Sequence, residues 1–223
     1  MAIRTPWAAC RARPAAARFG FCLALSVSSG LCVAAPAFAQ PTTTTTSATQ
    51  AALQAQTLAL SNLPLGWTAT NGGANGGGTV QACRGQHFGA AGRLADAEAS
   101  YEAPSGLPEF FEEISLYKAT STVFSKGVKT IDRCHTVALD QGGINLTIHV
   151  AKLAYPGGKK TAAFSLTFLV KGQKVGIDLV IEQVGTEVAQ VSVADSPSPA
   201  LSQVKQLVAR AVHKITTSPV PTT

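Results

Sequence analysis

Residues 144–193 read INLTIHVAKLAYPGGKKTAAFSLTFLVKGQKVGIDLVIEQVGTEVAQVSV and decide the fold of this 223-residue chain. Apolar and polar residues alternate in Ile144–Val150, Phe164–Val170 and Val175–Glu182, and this period of two is typical of strands with one buried face. A fourth strand is predicted over Glu187–Val193. Because the connections are short and contain glycine, we expect neighbouring strands to pair antiparallel as a meander.

Two segments with helical spacing predict helices that cover this sheet. Thr120 or Ser121 can cap an internal helix, in which Phe124, Val128 and Ile131 share one face. Ser198-Pro199 predicts a cap with proline at the first helical position of a terminal helix. The apolar stripe of that terminal helix consists of Leu201, Val204, Leu207, Val208, Ala211, Val212 and Ile215.

The elements together predict one α+β domain over residues 58–215. Glu109–Tyr117 and Ala97–Ala103 add two strands upstream of the internal helix. We therefore expect an antiparallel sheet of about five to seven strands, packed by one internal helix and the C-terminal helix, with the helices gathered on one sheet face. About 150 residues is the usual size of a single domain.

The first 39 residues predict a cleaved signal peptide. Four arginines precede the apolar run Phe19–Val33, and Ala37-Phe38-Ala39 supplies the small-x-small pattern after which signal peptidase cuts. We expect a mature, secreted or envelope-located protein that begins near Gln40. Leu31 precedes Cys32 where a lipobox has a small residue, so free secretion is favoured over lipid anchoring.

The two ends of the mature chain are predicted to be disordered. Residues 40–57 form a Thr/Ala-rich spacer, and residues 216–223 form a polar tail with two prolines. No segment after the leader approaches the roughly 20 apolar residues that a transmembrane helix needs. We therefore predict no transmembrane span in the mature chain.

Two cysteines, Cys83 and Cys134, remain after the leader is removed. An even pair in an exported protein predicts one disulfide, which would restrict the unfolded chain by about 4 kcal/mol. The alternatives are a metal site and a reactive thiol. Because no CxxC spacing or convergent histidines accompany the pair, the sequence predicts no metal ligands and no cofactor.

The charge of the mature chain argues against a nucleic-acid partner. The formal net charge of +6 includes the four leader arginines, so 18 − 4 basic residues stand against 12 acidic ones, about +2. Nucleic-acid binding needs a concentrated basic stripe. The remaining lysines are scattered in pairs that are typical of solvated turns.

No catalytic motif occurs in the chain. There is no GxSxG elbow, no HExxH and no phosphate-binding glycine loop, and the four histidines are isolated. Glu112 and Glu113 are adjacent in a predicted strand, so they point to opposite faces and cannot flank one bond. We expect both at a solvated edge.

The non-core side of the meander is the candidate site. A polar side of a one-faced sheet is ordinarily solvated, but it becomes a pocket for a small ligand if other elements cover it. Gln190 and Ser192 of the fourth strand are expected on the same side. We define the polar face by its candidate ligand-binding residues Asn145, Thr147, His149, Thr167, Asp178 and Glu182.

A layout of several motifs resembles a known group of proteins. The group is recognised by Leu63-Pro64-Leu65-Gly66-Trp67, a cysteine after a glycine-rich loop, Ile131-Asp132-Arg133-Cys134, and a meander with a final helix. It comprises exported actinobacterial, mycobacterial-type cell-envelope proteins and extracellular sensor-like domains of receptor kinases, some with a Mog1/PsbP-like α/β/α sandwich. The resemblance implies a non-enzymatic protein that binds a ligand or partner.

The sequence therefore favours a secreted, non-catalytic protein that binds an unidentified small ligand or envelope protein. The alternative is a secreted hydrolase with an unusual site on the polar face. His149 and Asp178 would be its first catalytic pair, if they lie within hydrogen-bond reach in a deep cleft beside a hydroxyl.

Overall fold

The computed structural model describes residues 43–70, 92–118, 120–141, 144–218 and 220. The predicted leader, the glycine-rich loop and Cys83 lie outside these ranges. One antiparallel sheet of eight strands dominates the described part, so the predicted α+β class is confirmed with more strands than the expected five to seven. The strands are β1 (Thr68–Ala69), β2 (Arg93–Glu102), β3 (Glu109–Tyr117), β4 (Thr136–Gln141), β5 (Ile144–Lys152), β6 (Thr161–Val170), β7 (Gln173–Val184) and β8 (Glu187–Asp195).

Three α-helices pack on this sheet in the described ranges. They are α1 (Thr43–Gln56), α2 (Thr120–Asp132) and α3 (Leu201–Thr217), and a short 3-10 turn spans Leu60–Asn62. None of these helices is long and apolar enough to cross a membrane.

The strand order is β1-β2-β3-β8-β7-β6-β5-β4. Strands β5 to β8 form the predicted antiparallel meander, with Thr167 opposite both His149 and Gly176. Strand β3 pairs with β8, although α2 and four strands separate them along the chain. Strand β3 therefore lies inside the sheet, between β2 and β8. The short strands β1 and β4 form the two edges.

The helices lie on both faces of the sheet. Leu179 and Ile181 pack with Phe124 of α2, whereas Val180 between them packs with Leu207 of α3. Because neighbouring strand residues point to opposite faces, α2 and α3 must cover opposite sides. The prediction that the helices gather on one face is therefore wrong, and the layers run helix, sheet, helix.

Helix α1 replaces much of the predicted disordered spacer. Its Leu53 is 0% exposed and packs with Ala97, Ile114 and Ile215, and Gln56 and Thr57 are also buried. The interpretation of residues 40–57 as disordered is wrong for residues 43–57. A threonine-rich, uncharged sequence has weak helical propensity, so the helix depends on tertiary packing that the sequence pattern does not display.

The C-terminal region also differs from expectation in two details. Helix α3 begins at Leu201 with Ala200 as N-cap, and no side chain caps it, so Ser198-Pro199 precedes the helix. The chain there crosses closely over Gly176, where an added Cβ would lie 2.9 Å from Ser198 Cα. Beyond the helix, Val220 is buried with Leu53, so the predicted tail is packed at that point.

Candidate functional site

The predicted polar face exists as one side of the sheet. On β5 and β6, His149 stands opposite Thr167, and on β6 and β7, Ser165 stands opposite Asp178. Strand alternation then places five of the predicted residues, Thr147, His149, Thr167, Asp178 and Glu182, on the side that α1 and α3 share. The sixth residue, Asn145, pairs with Asp140 of β4 and lies four positions before His149 on β5.

Helix cover divides the polar face into two zones. Helix α3 packs on β7 and β8, and Asp178 beneath it is 4% exposed. Farther out on β5, Thr147 and His149 are exposed, while Thr167 on β6 is half-buried. Helix α3 therefore stands beside a more open surface formed by Thr147, His149, Ser165 and Thr167, here called the floor. We call the boundary between α3 and the floor the step.

Asp178 lies at the foot of this step. Burial raises the pKa of its carboxyl above the ordinary value, and a hydrogen bond with Ser165 opposes that rise. A partly desolvated carboxyl held by a neutral hydroxyl is suited to accepting a hydrogen bond. Among the described residues, no cation forms an ion pair with this carboxyl.

Glu182 and Tyr155 form the other end of the step. Glu182 is half-buried opposite Thr161, and burial raises its pKa. Burial also raises the pKa of the Tyr155 hydroxyl, and the charge of Glu182 adds to that effect. Tyr155 packs against the core under α3, so it is an aromatic boundary of the step that the sequence analysis missed. Its position in the β5–β6 connection gave no periodic signal.

The structure does not bring His149 and Asp178 together. Strand β6 lies between their strands, and Thr167, the partner of His149, faces Gly176 rather than Asp178. Two strand spacings alone separate the backbones by about 10 Å. His149 is also exposed. His149 and Asp178 therefore do not form the hydrogen-bonded pair in a deep cleft that the hydrolase hypothesis requires.

Gln190 and Ser192 do not belong to the polar face. They pair with Glu113 and Phe111 of β3, and their side points away from α3 because Val191 between them packs under that helix. Both faces of β8 are buried, so polar residues on this strand do not indicate the solvated side. The expectation that they extend the polar face is wrong.

Glu113 belongs to a buried network on that opposite side. It is 2% exposed, and its carboxylate binds Arg93 Nη1 at 2.9 Å, Ser115 Oγ at 2.9 Å and Gln190 Nε2 at 3.1 Å. Burial raises its pKa, although the contacts with Ser115 and Arg93 oppose the rise. The contacts satisfy both carboxylate oxygens, which is typical of a structural ion pair.

Glu112 is buried on the α3 side and is 0% exposed. Its Oε2 accepts a hydrogen bond from the backbone N–H of Leu58 at 2.7 Å, and burial raises its pKa to about 7. Glu112 and Glu113 therefore point to opposite faces as predicted, but the prediction of a solvated edge is wrong. Strand β3 is internal to the sheet because it pairs with the distant strand β8, and this long-range pairing leaves no local signal in the sequence.

Cys134 follows α2 and is half-buried against the core on the α2 side. Its backbone N–H donates to the carbonyl of Ile131 at 2.9 Å. Cys83 lies outside the described residues, so the Cys83–Cys134 bridge stays a prediction. No group of three or more histidine, cysteine, aspartate or glutamate side chains in the described ranges could hold a metal ion.

Comparisons with known proteins identify no family. No family model matches the chain, and no curated protein sequence matches it. Among solved structures, the chain is similar to the extracellular domain of PknH from Mycobacterium tuberculosis, with 12% sequence identity and a TM-score of 0.49. That alignment covers 58% of this chain and 68% of the other. A likeness at this level carries no functional information.

Proposed function

We propose that this chain is an exported, non-catalytic binding protein whose polar face takes a small ligand or an envelope protein. The observation that carries the proposal is the uneven helix cover on one side of the sheet. Helices α1 and α3 bury the surface over β2, β3, β7 and β8, yet Thr147 and His149 on β5 stay exposed.

The chemistry of the step supports reversible binding. Hydroxyls from Ser165 and Thr167 lie on the floor, the carboxyls of Asp178 and Glu182 have raised pKa values, and Tyr155 bounds one end. A few polar groups beside an aromatic side chain are typical of sites that orient a ligand. The separation of His149 from Asp178 supports binding without catalysis.

Export is supported by the sequence of residues 1–39 and by the cysteine pair. Mass spectrometry of protein recovered from outside the cytoplasm should find an N-terminus at or near Gln40. Its intact mass should also be two hydrogens below that of the reduced chain, because Cys83 and Cys134 form a bridge. Two free thiols, or an acyl group on Cys32, would contradict this part of the proposal.

The binding proposal is tested by nuclear magnetic resonance on the isotope-labelled protein. Dialysable and non-dialysable fractions of the culture medium and cell envelope are added separately, which distinguishes a small ligand from a protein partner. We expect one fraction to shift the amide signals around Thr147 and Thr167. Thr147→Arg should abolish these shifts, because an arginine there covers the open floor.

Ser125→Arg is the matched control. Ser125 is equally exposed but lies on α2, on the other side of the sheet, so this variant should respond like the unmodified protein. Signals that move only on the α2 side, or a Thr147→Arg protein that responds normally, would refute binding at the polar face.

A further inference from the structure

Residues Gln56–Leu58, here called the strap, join α1 to the 3-10 turn and are buried throughout. They run over the carboxyl of Glu112, far from the floor of the polar face. The strap and α1 together cover the outer part of β2, where β1 pairs only with Glu102 and Tyr101.

Three groups hold the strap from three different elements. Glu112 Oε2 on β3 accepts from Leu58 N at 2.7 Å, and the Tyr101 hydroxyl on β2 donates to the Leu58 carbonyl at 2.5 Å. Lys214 Nζ on α3 donates to the Thr57 carbonyl. The strap is thus fixed by its backbone, so its attachment depends on the groups beneath it.

Besides the apolar contacts of Ala52 and Leu53, helix α1 makes several polar contacts. Gln50 and Gln54 donate to the carbonyls of Asp96 and Glu98 on β2, and Gln56 donates to Glu187 Oε1 at 3.2 Å. These carbonyls lie along the edge that β1 leaves uncovered. Because exposed strand edges attract other strands, the glutamines protect the sheet edge as long as α1 stays docked.

Ionisation of Glu112 would place a charge in an unfavourable environment. Its Oε1 is buried without a hydrogen-bond partner among the described residues. Of the groups that face it, Tyr101 is neutral and hydrogen-bonded to Leu58, Val191 opposite on β8 is apolar, and the cation Lys214 is already bonded to Thr57. Residues 43–62 contain no ionisable side chain, so α1 and the strap supply no counter-charge.

We propose that α1 and the strap form a pH-dependent latch, closed while Glu112 is protonated and loosened when it ionises. Release would uncover the edge carbonyls of β2 and the apolar seat of Leu53. The geometry is that of a switch because the buried carboxyl of Glu112 accepts a hydrogen bond from the backbone of the strap, which joins α1 to the 3-10 turn.

The direction of the effect follows from linkage. Burial raises the pKa of Glu112 from 4.5 to about 7 and outweighs the Leu58 hydrogen bond and the Lys214 charge, which both oppose the rise, whereas a released strap returns the carboxyl to water. Below the ordinary pKa both states are protonated and the latch is closed most firmly. Between that value and about pH 7 the released state loses its proton first, so docking weakens as pH rises and then levels off. If release returns the Glu112 pKa fully to its ordinary value, the docking equilibrium of α1 is weaker at high pH than at low pH by on the order of a hundredfold.

The test is hydrogen exchange measured by mass spectrometry on protein recovered from expression of the full chain, at pH 5 and pH 8. After correction for intrinsic exchange, protection of residues 50–58 should fall about tenfold or more at the higher pH, while amides of β7 and β8 serve as the internal reference. In Glu112→Gln, which keeps an acceptor but cannot ionise, the pH response of this segment should disappear.

Tyr101→Phe is the matched control variant. It removes the other bond to Leu58 but no carboxyl, so protection of the strap should decrease at both pH values while the ratio between them remains. The proposal is overturned if the unmodified protein shows equal protection at both pH values, or if Glu112→Gln responds to pH as the unmodified protein does. If Glu112→Gln does not fold, the first comparison still decides.

Discussion

Helices α1 and α3 lie on the same side of the sheet but are held by different forces. Helix α3 buries Val204, Leu207, Val208, Ala211 and Ile215 against the strands. Helix α1 buries Leu53, with Ala52 beside it, and also attaches through glutamine side chains and the strap. The apolar helix is therefore part of the core, whereas the polar helix is a separable cover over the sheet edge.

Truncation of the α3 stripe should have the largest effect. Leu207 is 3% exposed, and Leu207→Ala should reduce the free energy of unfolding by about 2–5 kcal/mol through lost burial and a cavity. The thermal midpoint should then fall by roughly 5–15 °C. Gln206→Ala, on the exposed side, should leave the midpoint unchanged. Equal midpoints in thermal melts of the two variants would show that α3 does not dock on the sheet.

The second largest loss of stability is expected from a substitution at Gly176, where the segment that leads into α3 crosses β7. Gly176→Ala places a methyl group 2.9 Å from Ser198 Cα and 3.1 Å from the Pro197 carbonyl, both backbone atoms that cannot rotate away. Such overpacking costs about 1–3 kcal/mol. Gly158→Ala is the control, since nothing lies within 4 Å of its Cβ. Denaturant unfolding curves that do not separate the two variants would contradict this close crossing.

The smallest effect on global stability is expected at α1. Leu53→Ala should release the helix, but its cost cannot exceed the free energy of docking α1, so the midpoint should fall less than in Leu207→Ala. Hydrogen exchange should show lost protection confined to residues 43–58. Gln54→Ala, which removes the side-chain hydrogen bonds to Glu98 O and Thr57 Oγ1 but leaves Leu53 in place, should change protection less than Leu53→Ala does. A global loss of protection in Leu53→Ala would mean that α1 belongs to the cooperative core.

The same difference explains what the sequence could predict. Apolar residues that recur every three or four positions define α3, and alternation defines β5 to β8, because in both cases each element displays its own buried face. Helix α1 shows no such pattern, since its partners are carbonyls of β2 more than 40 positions away. Its burial depends on tertiary structure and is absent from local periodicity.

The candidate site was predictable to a similar extent. Alternation placed Thr147, His149, Thr167, Asp178 and Glu182 on one face, which the register confirms. The burial of Asp178 under α3 and the boundary at Tyr155 depend on how distant elements cover that face. The burial of Glu112 and Glu113 was equally unpredictable from the sequence, because only the pairing of β3 with β8 puts them inside the sheet.

The central proposal, that the uncovered polar face binds a partner, is tested most directly by a high-resolution structure of the secreted form. The crystals should be grown from protein equilibrated with the fraction that shifts its amide signals. The account predicts additional density against Thr147, His149 and Thr167, beside α3 and Tyr155. Density for the bound molecule at any other surface, with this face occupied by solvent alone, would contradict it.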